Sequence, residues 1–164
     1  MHGTPISLVR TVPLRCEAIT PIVRTVLARL VEASQRGEVA LDVDLRGTGR
    51  VSVPVLIREA AVNGGPMRFD VSVAALRAPK LFPRFEGRID AMPADLAGTT
   101  NTAVSLTGRY FVPLGVVGRV ADATITRGIA ASGLSSFLER VIADVLADVA
   151  HSADERYLAN RRQL

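Results

Sequence analysis

The chain has 164 residues, 48% of them hydrophobic, and a formal charge of +4 from 20 basic and 16 acidic side chains. That length suits one domain with enough apolar material for a sizeable core. The charges are scattered singly rather than in blocks that track phosphates, and seven aromatics (five Phe, two Tyr) offer little base stacking, so no nucleic-acid partner is expected.

No apolar run approaches the ~18 residues of a membrane span. The start of the chain, broken by Pro5, Arg10, Pro13 and Arg15, has no signal-peptide core, so a cytoplasmic protein is expected. Cys16 is the only cysteine. It can form neither an internal disulfide nor a cysteine metal cluster, and reads as a plain small side chain.

The opening "PISLVRTVPL" reads as a strand. From Thr20 to Gly37 the positions Ile22, Val23, Val26, Leu27, Leu30 and Val31 recur at helical spacing opposite Arg24, Thr25, Arg29 and Glu32. The expected helix has Thr20 as N-cap, Pro21 at its first position and Gly37 closing it. The period then changes to two. Val39, Leu41, Val43 and Leu45 alternate with polar neighbours up to a "RGTGR" turn, and Val51, Val53, Val55 and Ile57 follow, with Pro54 marking a bulge or an edge.

After "NGGP", the residues Phe69, Val71, Val73 and Ala75 define a further dry phase, ended by "RAPKLFP". Phe85, Gly87, Ile89 and Ala91 repeat the pattern. Beyond "PADLAGTT" so do Val104, Leu106, Gly108 and Tyr110. An antiparallel meander with one wet and one dry face reads this way, and the dry face needs a cover.

The cover is the last helix. Leu134, Phe137, Leu138, Val141, Ile142, Val145, Leu146 and Val149 form its apolar face, with Arg140, Asp144 and Asp148 opposite. Seven residues before Leu134 the stripe meets Arg127, so its phase breaks near Gly128 and Gly133. An internal Gly costs ~1 kcal/mol against Ala; two close together mark a kink, a short break or a place where bulk is unwelcome. The closing "SADERYLANRRQL" has no sustained period and reads as a frayed basic tail, 152–164, after a domain of residues 1–151.

Strand, helix, meander and long C-terminal helix in this order resemble the START-like superfamily, the helix-grip fold of START lipid-transfer domains, birch-pollen-type allergens and bacterial polyketide cyclases. The likeness spans residues 5–150. More narrowly, "LFPRFEGRI" with "LTGRYFVPLGVVGRVAD" is similar to the last strands and helix entry of bacterial SRPBCC members. The resemblance implies an α+β fold in which a curved antiparallel sheet of six to seven strands wraps the C-terminal helix around a mostly apolar pocket. One departure is visible: such domains usually have seven strands and two short helices after the first, and this sequence reads as six and one, which shrinks the expected interior.

The candidate pocket residues are Phe69, Val71, Phe85, Ile89, Leu106 and Tyr110 on the sheet, with Ala121, Ile125, Arg127, Gly128 and Ser132 on the helix side. The small residues either border a cavity or let the helix press on the sheet. Arg127 offers a planar fork for an anionic oxygen and Tyr110 a hydroxyl; alternatively Arg127 turns to solvent and Tyr110 caps the sheet edge. No catalytic set emerges. Sequence spacing matches neither His2 nor His151 to a Ser, Cys or carboxylate, and Asp42, Asp44, Asp70, Glu86 and Asp90 fall on polar strand phases suited to cross-strand pairing with Arg68, Arg84 or Arg88.

The function expected is noncovalent binding of a hydrophobic or amphipathic small molecule, lipid-like or polycyclic, with no cofactor and no metal. A cyclase- or aromatase-like enzyme and an interaction module with a filled core are the alternatives, because fold alone does not choose among them.

Overall fold

A computed structural model of the chain describes residues 3–44, 50–60, 68–77, 84–94, 100–111 and 123–161. The four turn centres of the sheet, the segment 112–122 and the last three residues lie outside them, and so do the turn assignments and Ala121. Six strands and two helices follow in order: β1 (Thr4–Val12), α1 (Cys16–Gln35), β2 (Ala40–Asp44), β3 (Arg50–Ala60), β4 (Arg68–Ala75), β5 (Arg84–Pro93), β6 (Thr102–Phe111) and α2 (Ala123–Arg161).

The strands form one antiparallel sheet in the order β1-β6-β5-β4-β3-β2. Alternation decides its faces. In β4 Phe69, Val71, Val73 and Ala75 are buried and the residues between them half-buried, and the dry phases of β5 and β6 continue the same face. α2 lies against both edge strands, β1 and β2, and against α1. Its stripe Leu134, Phe137, Leu138, Val141 and Val145 is almost fully enclosed in one core shared with α1 and the sheet. A curled sheet gripping a long C-terminal helix is the helix-grip arrangement.

α1 starts a full turn before the expected cap. Its N-cap is Arg15, which provides no side-chain hydrogen bond, and Thr20 lies inside the helix with its hydroxyl donating to the Cys16 carbonyl at 2.8 Å. Cys16 and Ile19 are buried, so apolar contact sets the start despite Pro21, whose missing N–H leaves a carbonyl near the N-terminus free. The other end closes as expected. Gly37 adopts φ +74°, Glu38 N–H reaches the Ala33 carbonyl and Gly37 N–H the Ser34 carbonyl, both at 3.0 Å, which is a Schellman motif.

Pro54 lies on an interior strand, not an edge, and no bulge is needed. Residues 50–54 of β3 pair with β2, whereas residues 55–60 pair with β4. Pro54 therefore sits at the changeover, where no ladder requires its N–H. Past the changeover the flank of β3 that had faced β2 is taken over by α1: the buried Ser34 hydroxyl accepts the Ile57 N–H at 2.9 Å and donates to the Val31 carbonyl at 2.7 Å.

Helical hydrogen bonding in α2 is unbroken from Ala123 to Arg161. The phase break near Gly128 and Gly133 does not interrupt the helix, and the helix continues ten residues beyond His151, through most of the segment expected to fray. Tail residues from 154 onward carry no described side chains.

Candidate functional site

Across β4, β5 and β6 the inner face is built in rows. Phe69, Ile89 and Leu106 are lateral partners, as are Val71, Gly87 and Gly108, and then Val73, Phe85 and Tyr110. The six sheet residues expected at the pocket thus form one contiguous patch, each at most 3% exposed. Phe69 is shared with α1, because the Arg24 guanidinium carbon stands 5.9 Å from its ring centre. Gly128, Ile125 and Arg127 belong to the first turns of α2, and their side chains lie outside the described residues. Ser132 is half-buried on the same helix.

Sequence reasoning missed the reason for two glycines. A methyl on Gly87 would collide with the Phe85 ring and the Thr107 carbonyl, and one on Gly108 would stand 2.8 Å from Phe85 Cε2. The Phe85 ring therefore packs against a pair of bare backbones at the β5–β6 junction, and the strands approach there as only glycine allows. Two glycines on the dry phase opposite each other, with an aromatic two residues away, are the signal that could have found this.

The polar groups of the inner face are mostly spent. Arg10, on β1, donates to Ser135 at 2.9 Å and Glu139 at 3.0 Å on α2. Thr102 donates to the Leu14 carbonyl at 2.6 Å. Tyr110 differs: it is 3% exposed, yet no described residue hydrogen-bonds its hydroxyl. On the outer face one expected cross-strand pair forms, Arg68–Asp90, whereas the other two arginines pair along β5 itself. Asp90 takes Arg68 at 3.0 Å and Arg88 at 2.9 Å, Arg84 takes Glu86 at 3.2 Å, and the two arginines cover Asp90 down to 8% exposure.

Cys16 is buried at the start of α1, its thiol 3.3 Å from the Ala91 carbonyl, and burial pushes its pKa up. That disfavours a thiolate nucleophile. An open groove of about 400 Å³ runs between α1 and α2, lined by Pro21, Ile22, Thr25, Arg29, Asp148 and His151 among others. It lies at the helix–helix surface, and its Arg29–Asp148 pair at 2.7 Å is a tie between the helices. Among the described residues no three metal-ligating side chains converge, and no helix is long and apolar enough to cross a membrane.

No protein-family model and no curated protein sequence matches the chain. Among solved structures it is similar to a conserved protein from Geobacillus kaustophilus, at 13% identity over 88% of this chain and 96% of that one, with a TM-score of 0.54. It is likewise similar to Ara h 8.0201, at 12% identity over 89% and 99% of the two chains, TM-score 0.50. The Zhui aromatase/cyclase from a Streptomyces species overlaps at a TM-score of 0.47, 15% identity and 90% and 96% coverage. At such identities the likeness is one of fold.

Proposed function

We propose that the chain binds a hydrophobic or amphipathic small molecule, noncovalently, between the inner face of β4–β6 and the first turns of α2. The observation that supports this reading is a mismatch of bulk. The last row of the inner wall carries the large side chains Phe85 and Tyr110, whereas just before the enclosed stripe that starts at Leu134, and after Ile125 and Ile129, α2 carries Ala130, Ala131, Ser132 and Gly133. Short side chains at 130–133 on the helix that covers this face would admit an occupant beside that row, and an apolar wall with few polar groups is what such sites use.

Native mass spectrometry of freshly purified protein, together with titration of 1-anilinonaphthalene-8-sulfonate, tests the reading. A co-purifying mass or saturable probe binding by the folded chain is expected. Neither result in a cooperatively melting protein would mean a filled interior and would favour an interaction module.

A further inference from the structure

We infer that the Tyr110 hydroxyl is the hydrogen-bonding anchor of this interior site, and that it selects flat apolar molecules carrying a hydroxyl or carbonyl oxygen. The inference rests on the binding reading above and narrows its ligand class. Tyr110 projects from the dry phase of β6, between Thr4 of β1 and Phe85 of β5, and only 3% of it is exposed. A buried phenol normally finds a partner, because an unsatisfied buried hydroxyl is destabilising. No described group provides one, while Arg10 and Thr102 on the same face are already bonded.

Among the described residues, moreover, no fully enclosed polar side-chain atom lacks a partner. The Tyr110 hydroxyl is therefore within reach of a water-sized group although the rest of the side chain is enclosed. A phenol both donates and accepts, so it matches either a ligand hydroxyl or a ligand carbonyl. The preference for flat molecules comes from the neighbouring Phe85 ring, which packs against the Gly87–Gly108 backbones and is the aromatic group beside Tyr110 on which a ligand ring can stack.

The test compares 2-naphthol with 2-methylnaphthalene, two probes of one shape of which only the first carries oxygen. The chain has no Trp, so probe fluorescence is read directly, on the wild type and on Tyr110→Phe. The variant should bind 2-naphthol roughly three- to tenfold more weakly, the worth of one neutral hydrogen bond, with 2-methylnaphthalene affinity unchanged. A carbon-13 label at the tyrosine Cζ provides a second readout on the unaltered protein: the Tyr110 resonance should move with 2-naphthol and stay nearer its free position with 2-methylnaphthalene. Equal 2-naphthol affinity in both proteins, or equal movement of that resonance with both probes, overturns the anchor while leaving the site. Failure of both probes to bind the wild type overturns the site itself.

Discussion

Replacing Ser34 with alanine asks whether α1 truly stands in for a strand along β3. Ser34 and Ile57 are both 0% exposed, and the serine Oγ accepts the Ile57 N–H at 2.9 Å. Alanine removes that acceptor and leaves the amide enclosed on the flank that β2 no longer covers. An orphaned buried donor costs about 1–3 kcal/mol, a substantial part of a domain's ~5–15 kcal/mol. In a chain of this size each kcal/mol moves Tm by roughly 2–4 °C, so a fall of about 4–8 °C is expected at the middle of that range. Thermal melts followed by circular dichroism, with Ser152→Ala as an exposed control, measure it. A Tm within a degree of wild type would show that water reaches the Ile57 amide, and the account of α1 as a closing element would fail.

Gly108→Ala should lower stability by roughly 1–3 kcal/mol or more, because the new methyl meets the Phe85 ring at 2.8 Å and the Glu86 carbonyl; a variant as stable as wild type would mean the sheet relaxes freely there. Iodoacetamide at pH 8 should leave Cys16 unmodified in the native chain and label it in urea, since burial raises the thiol pKa, and equal labelling rates would contradict its enclosure. Glu139→Gln should cost little, less than about 2 °C, because the Arg10 pair is exposed. The Arg10 hydrogen bond, aided by Ser135, holds the Glu139 carboxyl below its ordinary value, so its contribution is present above the usual carboxylate range and disappears as pH falls through the folded value. Wild type and variant should converge in acid; a gap that widens there would reverse the sign of the argument.

Elements whose residues answer to one neighbour were legible in the sequence. β4 alternates without interruption because one side meets the core and the other water, and Gly37 closes α1 because only a positive φ fits there. The misplaced start of α1 had a different origin: Thr20-Pro21 imitates a helix entrance, while the real first turn is held by Cys16 and Ile19 packing against parts of the chain remote in sequence. Pro54 could not be interpreted without knowing that β3 changes partners beside it. Ser34 gave no signal, since a serine in a last helical turn is ordinary until Ile57 is brought to it. On the inner wall the sheet residues followed from period two, whereas the Phe85–Gly87–Gly108 stack depends on which strands are neighbours.

The two outermost strands, β1 and β2, belong to one sheet but are not bonded to each other; a single rod, α2, spans the interval between them. Its polar ties, Arg10–Glu139 on one flank and Arg29–Asp148 on α1, are surface pairs worth ~0–1 kcal/mol each. Arg10 also reaches Ser135, and the enclosed stripe from Leu134 to Val145 adds apolar contact, which is non-directional. Tilting the rod outward would slide greasy surfaces without severing one rung of the ladder, so the spacing of helix and sheet is set by soft contacts rather than by the stiff backbone. A fold closed in this way can change the distance between helix and sheet while the sheet itself stays the same.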